Sequence, residues 1–211
     1  SSSNNNLQNI ISNSNYYGVF SGYSLSSNNN IKDSNLSSNT YNDVYFQSNS
    51  VSDTLILTNC SYNMSIEYVY SASLIRKWYY RAYVTDNSST PINNAFVNIS
   101  NGVDEGYYIS LITNTTGWTN ITNIIEYVNT GATRTYYDTS VVVTNANNTL
   151  SESHLYNVTA EQNNLNDSII VNVDVTAPIL SGTNISMTSS SDINAVVAVI
   201  NWTTNEASNS S

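Results

Sequence analysis

The stretch that decides the fold is NNNIKDSNLSSNTYNDVYF, residues Asn28–Phe46. It carries little charge, many Asn and Ser, and a thin scatter of apolar residues. Low hydrophobicity often marks disorder, but disordered segments are usually also charged and poor in β-branched and aromatic residues. A second copy of the pattern decides the matter. Asn4-Asn5-Asn6-Leu7 aligns with Asn28-Asn29-Asn30-Ile31 at a step of 24 residues, and a further step of 24 reaches Leu55. The same step carries Leu36 to Cys60. Ile11 falls within one residue of Leu36 on this step, and Val19 and Phe20 within one of Val44 and Tyr45. Short strands and Asn/Ser turns repeating at this length are the signature of a parallel β-solenoid. Its coils rise by the inter-strand spacing, about 4.8 Å. Ile31, Leu36, Val44 and Phe46 are the expected interior of one coil. Cys60 is expected as a small buried hydrophobe in the Leu36 column. Asn at the corners tolerates left-handed backbone and stacks into amide ladders.

The rest of the composition sets bounds. The 211 residues suffice for one large or two ordinary domains. Charged residues are only 9% of the chain, so Asn, Ser and Thr, or groups attached to them, must supply solubility. A net charge of −10 with five Lys and Arg argues against binding nucleic acid or anchoring through a polybasic patch. A single cysteine allows no disulfide within the chain. No apolar run is long enough to span a bilayer. The sequence opens at Ser1 and closes at Ser211 in mid-pattern, and reads as a piece of a longer protein with further coils before Ser1.

The repeat in residues 1–65 resembles the right-handed parallel β-helix repeats of archaeal and bacterial surface proteins. Near Tyr62 the pattern changes. KWYYRAYVT alternates, with Trp78, Tyr80, Ala82 and Val84 on one face. Further strands are expected at Ala95–Ser100, Tyr107–Thr113, Ile121–Tyr127, Tyr136–Thr144, Tyr156–Ala160 and Ser168–Val175. That spacing, with no helical period between, predicts an antiparallel sandwich over 66–175. Pro91, Ala95, Val97, Thr113 and Gly117 lie in VTDNSSTPINNAFVNI and TNTTGWTNITNIIEY, which resemble carboxypeptidase-regulatory-like and bacterial Ig-like sandwiches. Such modules are spacers and adhesion or packing units, and the resemblance implies no catalytic residues.

Residues 176–211 read as a linker followed by strands at Ile179–Thr188 and Ala195–Thr203. WTTNEAS, with Trp202, is similar to the second strand of fibronectin-III-like modules. A full module needs about seven strands. Either the module continues in further residues, or this pair completes a neighbouring subunit's sheet by strand addition. The expected class is therefore all-β: a short parallel β-helix segment, an antiparallel β-sandwich, then an incomplete Ig/fibronectin-like strand pair.

Chemistry-bearing residues are sparse. His154 is the only histidine, with Glu152 near it, too little for a zinc site. Asp33, Asp43 and Asp53 are explained by turn and capping roles, and no catalytic residue is assigned. No cofactor is required. Asp104 and Glu105 in NGVDEGYY, and Asp174 at the module junction, offer the hard oxygens that bind calcium in extracellular β modules, and a solvated turn is the simpler account. Tyr-Tyr doublets at 16–17, 79–80, 107–108 and 136–137 would put one ring on each face of a strand. Sequons begin at Asn35, Asn59, Asn63, Asn87, Asn98, Asn114, Asn120, Asn147, Asn157, Asn166, Asn184, Asn201 and Asn209. With so little charge, they favour an exported, N-glycosylated surface protein. The function expected is structural: a subunit of an S-layer or extracellular filament, without enzyme activity, contacting copies of itself or other surface proteins. The alternative is an adhesin that binds polysaccharide through its Tyr-rich faces. A β-helix carbohydrate-active enzyme comes third.

Overall fold

Short polar residues take left-handed backbone at matched points of successive coils. Asn4 and Asn28 have φ of 59° and 58°; Asn9, Asp33 and Asn59 have 58°, 49° and 53°; Ser14 and Ser38 have 58° and 67°. Asn and Asp tolerate this region because their side chains bond locally to the backbone. The structure, a computed structural model, describes residues 4–22, 28–100, 108–144, 151–172, 180–189 and 196–204. The regular structure of those residues is nearly all strand, with a 3-10 turn at Met64–Ile66 and one short helix.

The coils are built of β1 (Asn6–Gln8), β2 (Tyr17–Ser21), β3 (Asn29–Asn35), β4 (Asn42–Gln47), β5 (Thr54–Ser61), β6 (Glu67–Tyr70) and β7 (Ser73–Tyr80), with Asp33 and Asn59 bending β3 and β5 within their length. β1, β3, β5 and β7 form one parallel ladder, and β2, β4 and β6 another. Each coil thus gives one strand to each ladder. Ile31, Leu36, Val44 and Phe46 are buried in one cluster with Leu55, Leu57 and Cys60. The parallel ladders do not stop at residue 65: β6 pairs with β4, and β7 with β5.

The register differs from the uniform step. Leu7 lies beside Ile31, 24 residues on, but Ile31 lies beside Leu57 rather than Leu55. Cys60 accordingly lies beside Ser34, not in the Leu36 column. One extra residue enters before β4, which pairs 25 residues on from β2, and the turn Ser48–Asp53 absorbs the second, through bonds such as Ser50 N–H to Ser48 Oγ and Asp53 N–H to Ser50 O. A slip of two keeps strand parity, so Leu55 and Leu57 both stay buried.

The second half contains β8 (Ala82–Asp86), β9 (Phe96–Ser100), β10 (Tyr108–Ile112), β11 (Thr122–Asn129), β12 (Arg134–Tyr136), β13 (Thr139–Thr144), β14 (Ser151–Tyr156), α1 (Val158–Glu161) and β15 (Asp167–Val171). β10, β9, β13 and β14 make an antiparallel sheet. Its apolar face packs in a second core with Trp78, Tyr80, Val84 and Ile124. The result is sandwich-like, with three departures from expectation. β15 runs parallel to β8, so the half is not purely antiparallel. The strand expected at Tyr136–Thr144 splits, and its two parts, β12 and β13, join different sheets. The strand expected at Tyr156–Ala160 is the end of β14 followed by α1. Asn157 caps that helix, its Oδ1 accepting from Ala160 N–H at 3.0 Å. The cap outweighs the β-branched Val158 and Thr159. Gly117 holds the turn after Thr113 at φ 79°, where a Cβ would lie 2.7 Å from Val84 O.

One six-stranded sheet, in the order β1-β3-β5-β7-β11-β12, serves both halves. β7 runs parallel to β5 on one edge and antiparallel to β11 on the other. Its alternation buries Leu74 in the first core and Trp78 and Tyr80 in the second. Ser1–Asn172 form one compact unit and Val173–Ser211 another. In the second, β16 (Leu180–Ser189) and β17 (Val196–Thr204) pair antiparallel, close to the strands read from sequence.

Candidate functional site: ladders between coils and a seam of buried charge

The outward face of β2, β4 and β6 carries rings that repeat with the coil. Phe20, Tyr45 and Tyr68 stack with centroids 5.2 and 4.7 Å apart and planes within 16°. Tyr16 and Tyr41 stack at 4.9 Å and 8°, and Tyr17 meets both edge-on. Parallel strands in register bring equivalent side chains to one coil spacing, which is close to ring-stacking distance. Tyr45 therefore has both faces covered by neighbouring rings. Tyr16 and Tyr41 keep exposed surface, 58% and 54% of each residue.

Amides repeat in the same way. Asn5 Nδ2 donates to Asn29 Oδ1 at 2.8 Å, and Asn30 Nδ2 to Asn6 Oδ1 at 3.3 Å. Asp33 ties four strands together: it accepts from Gln8 Nε2, Asn59 Nδ2 and Tyr79 OH at 2.9, 2.7 and 3.1 Å. Those bonds, led by the one from Asn59, hold its carboxyl below the usual value. Asp43 is buried and accepts from Asn39 N–H and Asn63 N–H. Asp53, also buried, accepts from Ser48 Oγ. All three acids thus sit in structural roles, Asp33 as a clamp between coils at one of the left-handed positions.

Where the two cores meet, charges are buried together. Arg76 Nη1 lies 3.3 Å from Glu126 Oε2, which also accepts from Trp78 Nε1 at 2.6 Å. The Arg76 guanidinium sits over the Tyr62 and Trp78 rings, 4.7 and 4.8 Å from their centroids. Glu126 follows Ile124 to the buried side by alternation, and a β-bulge between Ile125 and Tyr127 leaves it without a cross-strand partner and brings Tyr127 to the same side. Nearby, Glu67 accepts from Tyr62 OH at 2.7 Å, from Tyr127 OH, from Asn129 Nδ2 at 2.6 Å and from Arg134 Nη2 at 2.8 Å. Burial, then the Glu67 charge, raises the Tyr62 and Tyr127 hydroxyls well above the ordinary tyrosine value. Every charge in this seam faces an opposite charge or a hydrogen bond, so it locks the join and leaves no acid or base directed at solvent.

The chain was compared with protein-family models, with curated proteins and with solved structures. None matches.

The sequence-derived residues distribute as follows. His154 lies near the end of β14, not at a strand start, and its Nε2 is 3.1 Å from Asp167 Oδ1. Its partner thus comes from a distant strand, while the neighbouring Glu152 lies opposite Val143. Asp104, Glu105, Asp174, Asn147 and Asn209 lie outside the described residues. Among the described residues, no three His, Cys, Asp or Glu side chains group as a metal site, and no helix is long and apolar enough to cross a membrane. The 79–80 doublet divides as expected, Tyr80 buried and Tyr79 on Asp33. The 16–17 doublet does not: Tyr16 precedes β2, outside the pleat, and its ring touches that of Tyr17. Glu67, Glu126 and Arg134 were not legible as buried. Arg76 was not read as buried either, although LIRKWYY puts it on the face of Leu74, Trp78 and Tyr80.

Asn35, Asn63, Asn114, Asn120, Asn157 and Asn166 are exposed, and so is Asn87. Asn59 and Asn98 are half-buried. Asn184 and Asn201 lie in β16 and β17.

Proposed function

We propose that this chain is a structural segment of an extracellular surface glycoprotein. In this reading a parallel β-helix stack and an Ig-like, carboxypeptidase-regulatory-like sandwich act as one stiff spacer in a cell-surface layer or filament, and β16–β17 open a fibronectin-III-like module. One observation carries it: the side chains that could serve a ligand are spent on each other. The Phe20–Tyr45–Tyr68 rings cover one another's faces, and Arg76, Glu126, Glu67 and Arg134 neutralise one another within the join. A sugar needs an open ring face, and catalysis needs an acid or base that reaches substrate. The polar skin of Asn, Ser and Thr suits a glycosylated exterior, and the partners are copies of the chain or other surface proteins. Negative-stain micrographs of the protein test the reading: regular layers or filaments support it, and monodisperse particles at high concentration overturn it.

The stacked pair Tyr16–Tyr41, with its exposed outer surface, favours a second reading: an adhesin that binds polysaccharide there. Saturable polysaccharide binding by monomer that is lost in Tyr41→Ala would select it.

A further inference from the structure

We propose that Asn35, Asn63 and Asn114 are preformed acceptors for N-linked glycan, and that Asn59 and Asn98 are sequons the fold withholds. This rests on the extracellular reading above and names where its glycans go. In each of the three, the residue two positions on bonds back to the Asn side-chain oxygen twice. Asn35 Oδ1 accepts from Ser37 N–H at 3.1 Å and Ser37 Oγ at 2.6 Å. Asn63 Oδ1 accepts from Ser65 N–H at 3.0 Å and Ser65 Oγ at 2.5 Å. Asn114 Oδ1 accepts from Thr116 N–H at 2.9 Å and Thr116 Oγ1 at 2.7 Å. All three Asn are exposed, and their Nδ2 groups have no partner among the described residues.

The chemistry follows from that turn. An amide nitrogen is a poor nucleophile because its lone pair is delocalised onto the oxygen. Two donors on Oδ1 draw charge to the oxygen and make the N–H protons easier to remove. In transfer by the host's oligosaccharyltransferase, Nδ2 gives one proton to a carboxylate base of that enzyme and bonds to the anomeric carbon of a lipid-phosphate-linked oligosaccharide. The anomeric C–O bond to phosphate breaks, and the phosphate leaves with the electron pair. At all three sites the sequon hydroxyl is held against the acceptor amide.

The withheld sites differ in kind. Asn59 commits its Nδ2 to Asp33 Oδ1 at 2.7 Å, inside the parallel ladder. Asn98 lies in β9 between β10 and β13, and its Oδ1 accepts from Ser110 Oγ at 2.9 Å.

Glycopeptide mapping of the chain, secreted from a host that performs N-glycosylation, is the test. Glycan at Asn35, Asn63 and Asn114 with Asn59 and Asn98 bare is the expected result. Occupancy at Asn59 or Asn98 equal to that of the three overturns this inference while leaving the glycoprotein reading intact. No glycan at any sequon overturns both. Asp33→Ala supplies a second readout: it frees the Asn59 amide, so occupancy there should rise several-fold while Asn98 stays bare. No rise at Asn59, or an equal rise at Asn98, overturns the role given to Asp33.

Discussion

Arg76 and Glu126 are joined across the β7–β11 pair, Nη1 to Oε2 at 3.3 Å, with side-chain exposures of 4% and 0%. Neither charge has water to return to, so each depends on the other. Glu126→Gln should destabilise the protein by about 3–5 kcal/mol, the usual cost of orphaning a buried partner. Replacing both, as Arg76→Met with Glu126→Leu, should recover most of that loss. Urea titrations of the single and double variants check it. Tyr108→Ser on the exposed edge strand β10 is the control, expected within about 0.5 kcal/mol of wild type.

Alkaline stability should fall from the tyrosines. Tyr62, Tyr80, Tyr127 and Tyr156 are all raised, with burial the leading cause and Glu67 or Asp167 next. The folded state therefore keeps these protons after the unfolded chain has lost them. Their contribution is complete below the unfolded value, about pH 10, and is lost as pH rises beyond it. Denaturation midpoints should be flat from about pH 7 to 9 and drop above about pH 10. The drop should be shallower in Tyr127→Phe.

Cys60 should be inert in the folded protein. Burial pushes its thiol up to about 11, and its Sγ donates to Ile31 O and Thr58 O, both at 3.4 Å. The thiolate is the reactive form, so a thiol reagent near pH 8 should label it only at the rate of unfolding. Labelling at the rate of a free peptide thiol would contradict this placement.

Tyr45 is the middle ring of its stack, touching Tyr17, Phe20 and Tyr68. Tyr45→Ala should cost about 1–3 kcal/mol, more than truncation of a lone exposed ring, because it breaks stacking on both faces. Thermal melts of Tyr45→Ala and Tyr108→Ala side by side make the comparison.

Local pattern carried much of the first core. Ile31, Leu36, Val44 and Phe46 were readable because a coil repeats its own inward positions, and the Asn corners because few other residues accept left-handed backbone. The step of 26 between Ile31 and Leu57 was hidden because its two extra residues enter singly, one before β4 and one in the Ser-rich turn after it, where neither changes the hydrophobic pattern. Glu126 was hidden for another reason. It shares the buried side with Ile124, but a charge there makes sense only with its partner, which lies on a strand far off in sequence. Asn157 read as strand because Val158 and Thr159 are β-branched, yet the capping bond to Ala160 decided the local structure.

Because β7 is laced along both edges, to β5 and to β11, the join between the halves is no hinge. A lengthwise pull on such a strand must break many hydrogen bonds in shear at once. Tension arriving through the coils would pass the join and reach its weakest grip at a short edge, such as the three-residue β12. Under a lengthwise pull the protein would fray at its margins before it parted in the middle.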